Sequence, residues 1–384
     1  MVAKSIWRAL LMRGYSTQMS SMLRHSLVLI LLVSMIQAPA FAAGGDGYFG
    51  LLRARDLTPF GYLRLDMRPA YAGSLAPGSW AMEAELAYQN TWALSPEVER
   101  YLVGLPGRRT LGPAEYQAML DLPGDNYLVD QELAQLDVTL HYQFTADWSA
   151  YLILSGAAYG GGFLDSAIEG FHDTFGFSSF GRHAVSRNDA NILLNLKSTQ
   201  YVSSGMPTSG GLLDPTIGVR YSGVSLPEKW KLILEAAAKL PLNGHRTILS
   251  TGRTDVGVQA AVQRFSKSQA IYVNAAAVYY AGAGGFMPSD AQIVPTLVLG
   301  YERRLTQRTN AILQGYISPS VYDRNETDLY ELLATKYQLS LGFFHRRGRH
   351  AFRFAITENL QNLNNTPDIG FQLGWTFSPE RSVD

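Results

Sequence analysis

The sequence predicts an all-β fold, a transmembrane antiparallel up-and-down β-barrel of about twelve strands with long extracellular loops. Three observations lead to this prediction: residues alternate between apolar and small or polar, connections alternate between short and long, and tryptophans fall at segment ends. The clearest segment is the last, in which Ile369, Phe371, Leu373, Trp375 and Phe377 alternate with glycine, glutamine and threonine. Successive side chains of a strand point to opposite faces, so this segment suits lipid on one side and a polar lumen on the other.

Residues 1–42 have the features of a secretory signal peptide. Four basic residues precede an apolar stretch from Leu27 to Ile36, namely Lys4, Arg8, Arg13 and Arg24. Ala40-Phe41-Ala42 then has the small-x-small form of a signal-peptidase site. We therefore expect Sec-type export with cleavage after Ala42, and Met19 and Met22 are alternative translation starts. The apolar stretch is too short for a permanent membrane-spanning helix, which argues against an α-helical membrane protein.

Residues 43–78 precede the first strand and leave two interpretations open. The segment is rich in glycine, proline and arginine. It is either a periplasmic tether or a plug inserted in the lumen. A plug would place its arginines against the inward-facing carboxylates of the first two strands: Arg53, Arg55, Arg64 and Arg68 would meet Glu83, Glu85 and Asp137.

Alternating segments between residues 79 and 377 are predicted as the barrel strands, and residues 378–384 as a periplasmic tail. They are Ser79–Ala93, Ala134–Phe144, Trp148–Ala158, Pro215–Gly223, Trp230–Lys239, Asp255–Phe265, Ala270–Tyr280, Ile293–Glu302, Asn310–Ile317, Lys336–Phe344, Ala351–Asn359 and Asp368–Phe377. Short connections identify the periplasmic side and long ones the outer side. Residues 192–201 also alternate, but a further span would break this order, so we assign them to a hairpin above the membrane.

Aromatic residues provide an independent check on this arrangement. Those predicted to form girdles fall at strand ends: Trp80, Trp148, Trp230, Trp375 and Phe377 on the periplasmic side and Trp92 on the outer side. Membrane barrels carry aromatic girdles at both edges of their apolar band. A soluble β-sandwich also has alternating strands, but its aromatic residues have no reason to follow the strand ends.

Composition excludes one class of partner. Cleavage after Ala42 removes four of the 32 basic residues and none of the 32 acidic residues, which leaves a net charge of −4. Nucleic-acid binding needs net or clustered positive charge, so we expect no nucleic-acid partner. The chain has no cysteine, so no disulfide framework holds it together. We expect a monomer that contacts outer-membrane lipid and, during biogenesis, the barrel-assembly machinery.

Several stretches carry a resemblance to a known family. They are residues 50–60 (GLLRARDLTPF), 77–80 (PGSW) and 162–176 (GFLDSAIEGFHDTFG), followed by Gly181-Arg182 and Arg187-Asn188. With these motifs the mature chain resembles the DUF3187 family of uncharacterised Gram-negative outer-membrane β-barrel proteins. Asp56 stands where the family pattern has asparagine, and Thr58 also departs from it. The resemblance implies an outer-membrane barrel and no assigned mechanism.

Residues 162–176 lie in a long outer loop and are predicted to form a short amphipathic helix. An apolar stripe recurs with helical spacing: Leu164, Ile168, Phe171 and Phe175. We expect this stripe to pack on its own barrel, and the alternative is docking of a ligand or partner. On the other side of the helix, Glu169 and His172 form a Glu-x-x-His pair. A metal site would need ligands from other elements, so no metal is assigned.

Charged residues predicted to face the lumen are the second candidate site. They are Glu83, Glu85, Asp137, His141, Arg220, Lys231, Glu235, Lys239, Glu302, Lys336 and Arg353, with Glu358 and Asp368 near the end of the chain. Separated acidic and basic walls would create a transverse field that orients a polar solute. The alternative is a mutually neutralising network that fills the barrel.

Three functions remain open. The first is a pore, transporter or binding barrel for a small solute, and the second is a non-conducting surface or structural protein acting through its large extracellular loops. The third is an outer-membrane lipid hydrolase, although the sequence contains no Gly-x-Ser-x-Gly elbow, no His-Glu-x-x-His motif and no phosphate loop. His141 and Asp137 point inward on one strand without an assigned nucleophile. No catalytic residue and no cofactor is predicted.

Overall fold

The computed structural model describes residues 47–378 apart from 59, 71–74, 177, 198, 204–208, 228–229, 243–248, 283–286, 289 and 362–367. The predicted signal peptide and most of the predicted tail lie outside these residues. The strands are β1 Trp80–Leu94, β2 Asn126–Gln143, β3 Trp148–Gly160, β4 Asn191–Asn195, β5 Gln200–Ser203, β6 Ser209–Leu212, β7 Thr216–Ser225, β8 Trp230–Lys239, β9 Asp255–Phe265, β10 Gln269–Tyr280, β11 Gln292–Arg304, β12 Thr309–Ser318, β13 Lys336–Arg347, β14 His350–Gln361 and β15 Ile369–Phe377.

Twelve of these strands form a closed antiparallel barrel. Each pairs with the next along the chain, and β15 returns to pair with β1, from Met82 opposite Phe377 to Asn90 opposite Ile369. The predicted fold class is therefore confirmed. The three remaining strands stand outside the cycle. β4 pairs with the outer end of β2, β5 pairs with β4, and β6 pairs with the outer end of β3.

The short connections close one end of the barrel because their residues suit tight turns. Arg347 lies opposite His350 in the β13–β14 ladder, which leaves two residues in the turn. The first of these, Gly348, has a φ of 60°, which glycine adopts without steric cost and which two-residue hairpins require. Between β2 and β3, the hydroxyl of Thr145 accepts a hydrogen bond from the backbone N–H of Trp148 at 3.1 Å. Both turns lie on the side predicted to be periplasmic.

Short helices lie in the long connections of the described chain. They are α1 Pro96–Val103, α2 Pro113–Leu120, α3 Asp165–Phe175 and α4 Tyr330–Leu333, with a 3₁₀ turn at Arg182–Ala184. Proline begins α1 and α2, where its fixed φ suits the helix and its missing N–H has no intrahelical partner to lose. In the described part of the chain, no helix has the length and apolar character needed to cross a membrane. We call α1, α2, α3, β4, β5 and the outer ends of β1 and β2 the extracellular cap.

Outward-facing side chains of the barrel form an apolar belt. Its exposed members include Leu86, Leu136, Leu140, Leu154, Ile217, Val219, Leu234, Val258, Ile271, Tyr279, Ile293, Leu299, Phe343, Phe352, Phe354, Ile356 and Leu373. A closed ladder pairs the backbone groups of the wall and leaves no sheet edge, which is the condition for strands to cross a bilayer. The chain is therefore an outer-membrane β-barrel. Trp80 and Trp148 are about half exposed at the periplasmic edge of the belt.

The placement of Trp92 in the outer girdle is wrong. Trp92 is 4% exposed, and its indole N–H donates to the carbonyl oxygen of Phe180 at 3.0 Å. The guanidinium of Arg182 lies 5.0 Å from the centre of its ring. Above Tyr88 the extracellular cap covers the outward face of β1, so Trp92 packs against protein instead of lipid.

Two charged residues assigned to the lumen also lie elsewhere. Glu358 is exposed on the outward face of β14, because the inward positions are the alternate ones, such as Thr357 and Asn359. Asp368 precedes β15 and forms an ion pair with Arg182 of the extracellular cap. Its backbone N–H also donates to Asn90 at 3.1 Å. Glu358 thus has the outward parity of its strand, whereas Asp368 lies before its strand, where alternation does not decide what a side chain meets.

Candidate functional site: a plugged lumen

The segment before β1 lies inside the barrel. We call its described residues, 47–58 and 60–70, the plug. Its ascending arm is buried near the periplasmic end, where Tyr48 donates a hydrogen bond from its hydroxyl to the carbonyl oxygen of Ser266 at 2.6 Å. A turn follows, closed by the N–H of Tyr62 on the carbonyl of Thr58 at 3.0 Å. Phe60 in this turn packs against aromatic rings at the outer end of the barrel. The plug therefore reaches from one end of the lumen to the other.

The ascending arm has no ladder with the wall, so wall side chains satisfy its backbone. The carboxylate of Glu302 accepts hydrogen bonds from the N–H groups of Phe49 and Gly50 at 3.0 and 3.2 Å. The amide of Asn310 donates to the carbonyl oxygen of Gly47 at 2.8 Å. Buried backbone groups need such partners, so these inward-facing residues hold the arm in place.

The descending arm is held in the same way. Its Leu65 N–H donates to Asp255 at 2.9 Å. Further down, the side-chain amides of Gln259 and Gln263 donate to the carbonyl oxygens of Arg68 and Ala70 at 3.0 and 2.7 Å. Part of the polar lumen of β9 is thus a binding surface for the protein's own segment.

Two wall glycines make room for the plug. A Cβ atom at Gly300 of β11 would lie 2.0 Å from Cδ2 of Leu51, and one at Gly257 of β9 would lie 2.8 Å from the sulfur of Met67. Real Cβ atoms do not approach neighbours so closely. Glycine in a strand interior marks such a close approach of another segment, so these two positions are a sequence signal for the plug.

The acidic wall of β1 and β2 is neutralised by arginines. Asp137 pairs with Arg55 and, at 2.8 Å, with Arg68. Glu83 pairs with Arg53 of the plug at 2.9 Å. Charges buried to this degree are stable only when paired. Arg53, Arg55 and Arg68 therefore lie where a lumen-inserted segment would place them, whereas Arg64 pairs with Asp66 of the plug itself at 3.5 Å.

Arg353 of β14 completes this cluster from the other side of the β1–β15 ladder, where the barrel closes. Its guanidinium lies 2.9 Å from Glu83 and 2.7 Å from Glu85. Of the two alternatives for the charges in the lumen, the mutually neutralising network therefore matches the contacts of this wall. No separate acidic wall remains to set up a transverse field across this half of the lumen.

Further pairs extend the network to the other strands. Lys336 of β13 pairs with Asp56 of the plug, so a carboxylate at this position neutralises a buried lysine. Lys239 of β8 lies 2.8 Å from Asp255 and donates to the carbonyl oxygen of Leu63 at 2.6 Å. Opposed charges are therefore matched on several sides of the plug.

Arg220 and Glu235 form a pair outside the plug, 2.7 Å apart. The hydroxyl of Tyr151 donates to the same carboxylate at 2.8 Å. His141 is half-buried beside them, with its ring 6.1 Å from that of Tyr151. Lys231, also assigned to the lumen, is exposed at the periplasmic end of β8. Arg220 and His141 of this group line the wall beside the larger of the two cavities described below.

The geometry does not assemble a hydrolytic site around His141. The hydroxyl nearest to Asp137 is that of Ser155, which donates to its carboxylate at 2.5 Å. Ser155 lies opposite Asp137 in the β2–β3 ladder, whereas His141 lies opposite Tyr151, four residues further along. At about 3.3 Å per residue, roughly 13 Å separates these positions, too far for proton transfer between serine and histidine.

Two cavities lie between the plug and the wall. The larger, of about 160 Å³, opens at the periplasmic end, and we call it the vestibule. Its lining includes the basic residues Arg53, His141, Arg220, Arg346, Arg349, His350 and Arg353. Glu83 is the acidic residue among its described lining residues. The smaller cavity, of about 40 Å³, lies in the outer half, beside Gln135, Ser155 and Lys239.

A layer of polar contacts with β2 and β7 borders the two cavities. Arg68 lines the outer cavity and binds Asp137, and its guanidinium also donates to Thr139 at 3.2 Å. Arg220 with its partner Glu235 borders the vestibule side. Both cavities border β2, β3 and β7, and the vestibule also extends along β1 and β13 to β15.

The predicted loop helix is α3 of the extracellular cap, but its orientation differs from the expectation. Ile168 is buried and Leu164 partly so, whereas Phe171 and Phe175 are 53% and 60% exposed. The apolar stripe is therefore covered only at Leu164 and Ile168, and not at its two phenylalanines. The face that turns inward carries carboxylates, because arginines of the extracellular cap bind them: Asp165 pairs with Arg182 at 2.7 Å.

Glu169 has the same kind of environment. Its carboxylate lies 2.8 Å from Arg108 and 2.6 Å from Arg187. Burial alone raises the pKa of Glu169, but hydrogen bonds from both guanidiniums outweigh it and hold the pKa below its ordinary value. His172 instead binds the carbonyl oxygen of Ser178 through Nδ1 at 2.8 Å. Among the residues that the structure describes, no group of three or more potential ligands could hold a metal ion.

The periplasmic girdle forms a cluster around the closing seam. The rings of Trp80 and Phe377 lie 5.7 Å apart across the β1–β15 ladder. Trp375 lies 6.4 Å from Phe377 and stacks on His350 at 5.8 Å. Trp230 is partly exposed on the outward face of β8, with Arg264 at 5.6 Å from its ring.

Residues 123–378 match the model of a protein family described as "Protein of unknown function (DUF3187)". The chain belongs to the DUF3187 family. The matched region includes α3 and every barrel strand after β1. The family description assigns no activity, so the function of this DUF3187 barrel has to be argued from its own geometry.

No curated protein matches the chain. Among solved structures, it is similar to the COG4313 outer membrane channel from Pseudomonas putida F1, with 11% identity, a TM-score of 0.49 and coverage of 81% of this chain and 99% of that one. It is also similar to the NanC porin, with 7% identity, a TM-score of 0.40 and coverage of 77% and 98%. A third is the CymD monoaromatic hydrocarbon channel, with 12% identity, a TM-score of 0.38 and coverage of 80% and 90%.

Proposed function

We propose that the protein is a gated outer-membrane channel for a small solute, with the plug as its gate. The observation that carries this proposal is the pair of cavities that both border β2, β3 and β7, with Arg55 and Arg68 bound to Asp137 of β2 at the outer one. Displacement of these arginines joins the vestibule to the outer cavity. The barrel itself does not have to open, since the plug contributes no strand to it.

The chemistry of the holding contacts suits a gate. Side-chain hydrogen bonds and ion pairs to wall residues hold the plug, as described for Glu302, Asp255 and Asp137. Water or a charged solute can replace these contacts one by one, whereas a strand in the ladder would have to break a whole row of backbone hydrogen bonds. The plug therefore exchanges partners without loss of the closed barrel.

The vestibule favours anionic solutes. Arg53, Arg220 and Arg353 of its lining are paired with carboxylates, so the positive charge at its rim comes from Arg346 and Arg349. Rings of basic side chains are the usual basis of anion selectivity. Phe49 and Phe344 stack beside it at 5.1 Å, with Arg346 4.6 Å from the ring of Phe49. A small anion with an apolar part fits this combination. One barrel encloses the whole path, so the functional unit is a monomer.

Engineered disulfides test the gate. A Cβ at Gly300 would lie 3.1 Å from Cγ of Leu51, and a Cβ at Gly257 would lie 3.1 Å from Cγ of Met67. The γ position is that of a cysteine sulfur, so each pair suits a disulfide. The natural chain has no cysteine. Leu51→Cys with Gly300→Cys fixes the ascending arm, and Met67→Cys with Gly257→Cys fixes the descending arm.

In planar lipid bilayers, we expect each double variant to conduct when its cysteines are reduced and to stop conducting when they are oxidised to the disulfide. The four single-cysteine variants are the controls and should not respond to oxidant. If only one double variant falls silent, the arm that it fixes is the moving one. Equal conductance with and without the disulfides would overturn the gate.

Deletion of residues 47–70 separates the proposal from its main alternative. A channel gated by the plug should show a permanently raised single-channel conductance after the deletion. A non-conducting surface protein should remain silent with and without the plug. The third alternative, a lipid hydrolase, would instead release fatty acid from phospholipid vesicles.

Anion preference is measured as the reversal potential in a salt gradient. Arg346→Ala with Arg349→Ala should shift it toward cation selectivity, because both side chains line the vestibule. Arg100→Ala is the matched control, since that arginine is 68% exposed on α1. A shift of the same size in the control would refute the role of the vestibule.

A further inference from the structure

Helix α3 presents three distinct faces. One face is buried and carries Asp165, Ile168 and Glu169. With 3.6 residues per turn, Phe171 and Phe175 lie about a quarter turn from that face. Asp173 is exposed and lies about half a turn from the two rings. A helix on the side of a barrel, at the surface of a membrane, has this arrangement: protein to one side, lipid below and water above.

Ion pairs fix the rotation of α3 about its axis. Arg182 binds Asp165, and Arg108 binds Glu169 with two hydrogen bonds at 2.8 and 2.9 Å. Both bonds to Glu169 come from Nη2 of Arg108, and such charge-assisted hydrogen bonds are stronger than neutral ones. The helix therefore cannot turn its rings toward the core of the extracellular cap without breaking buried charge pairs. The ring pair, 4.7 Å apart, is kept at the surface.

The beginning of α3 is attached to the upper edge of the apolar belt. Phe163 is 67% exposed and stacks on Tyr88 at 5.1 Å. Tyr88 faces outward on β1, two residues above Leu86, which is exposed within the belt. The carboxylate of Glu132 accepts the Tyr88 hydroxyl and the N–H groups of Phe163 and Leu164, the latter two at 3.0 and 2.7 Å. The rings of this loop thus continue the lipid-facing surface.

We propose that α3 is an interfacial anchor whose phenyl rings lie among the acyl chains of the outer leaflet. Phe163, Phe171 and Phe175 enter the leaflet, and Asp173 stays in water. Amphipathic helices with an aromatic face bind bilayers in this way, in the plane of the interface. The continuity with the belt through Tyr88 selects lipid as the occupant. The anchor fixes the height of the extracellular cap above the membrane.

Single cysteines test the anchor, since the chain has none of its own. Phe171→Cys and Asp173→Cys, each carrying a small fluorophore, are reconstituted in phosphatidylcholine vesicles with lipids brominated near the headgroup or near the bilayer centre. The label at 171 should lose most of its emission to the shallow bromines and little to aqueous iodide. The label at 173, on the opposite face of the same helix, should show the reverse.

Phe175→Cys repeats the test one turn further on and should behave like the 171 variant. Retained resistance of the unheated barrel to SDS shows for each variant that the fold is intact. If the 171 and 175 labels are quenched by iodide as strongly as the 173 label, α3 does not touch the bilayer and the proposal fails. Protection from both quenchers also overturns it and assigns the rings to an interface with a second copy.

Discussion

The plug and the extracellular cap both bury arginine–carboxylate pairs, but the rest of the structure holds them differently. The plug is irregular, wall side chains such as Glu302 and Gln259 satisfy its backbone, and its apolar side chains pack in hydrophobic clusters shared with the wall. The cap has its own strands and helices and a separate hydrophobic cluster around Trp92, Leu102 and Met119. The apolar contacts of the plug are therefore made with the wall that it would leave, whereas the cluster of the extracellular cap lies within the cap itself. The comparison indicates a movable element inside the barrel and a permanent one above it.

The largest expected effect comes from Asp137→Asn, which loosens the plug. The change leaves Arg55 and Arg68 without their shared carboxylate in a buried site. Loss of one member of a buried charge pair costs about 3–5 kcal/mol. We expect faster trypsin cleavage at the plug arginines, mapped by mass spectrometry, and higher open probability in bilayers.

The matched control is Glu358→Gln, which also removes a carboxylate but on the exposed, outward face of β14. It should leave both the cleavage rate and the open probability unchanged. An Asp137 variant indistinguishable from this control would show that the layer on β2 does not hold the plug.

Trp92→Ala should destabilise the extracellular cap locally and leave gating by the plug unchanged. Deletion of a buried tryptophan ring costs about 3–5 kcal/mol, here within the separate cluster of the cap. Amide hydrogen exchange should speed up in α1 and β4 while β9 to β13 stay protected. In the double-cysteine variants, oxidation should still abolish conductance. Val103→Ala, at a site that is 65% exposed on α1, is the control. Loss of gating in the Trp92 variant would mean that the two regions are coupled.

A smaller effect is expected from acidification of the extracellular cap through Glu169. Its pKa is held below the ordinary value of 4.5, so the folded state favours the ionised form. The stabilisation is present above pH 4.5 and is lost as the pH falls through the lowered pKa. Hydrogen exchange of α3 should therefore accelerate in that acidic range. Glu169→Gln should remove this pH dependence, and an unaltered profile in the variant would assign it to another group.

The smallest structural effect is expected at the periplasmic end of the closing β1–β15 seam. Phe377→Ala removes ring contacts with Trp80 and His350, worth about 0.5–1.5 kcal/mol for each pair. We expect lower levels in the outer membrane because the last strand also resembles an aromatic-ended signal for barrel assembly. Removal of residues 379–384 is the comparison and should leave the levels normal. Normal membrane levels of the Phe377 variant would refute this role.

The strands could be predicted from the sequence because their cause is local. Alternation in residues 369–377 follows from the two-residue repeat of a strand between lipid and lumen, and the tight turn at Gly348 depends on its own backbone. The same repeat assigned Glu83, Asp137 and Arg353 to the lumen, and the structure brings these residues together there. The glycines at 257 and 300 also signal a close approach, although they do not say of which segment.

Only the tertiary structure decides which surface covers each face of a strand or helix. Trp92 has the same strand position as a girdle residue, yet the extracellular cap lies over it. The spacing of Phe171 and Phe175 predicts one helix face, but arginines distant in sequence determine that the carboxylate face turns inward. The sequence leaves a tether and a plug open for residues 43–78, and it is the wall that supplies partners for the plug backbone. Periodicity is set by neighbouring residues, whereas coverage and charge pairing depend on segments brought together by the closed barrel.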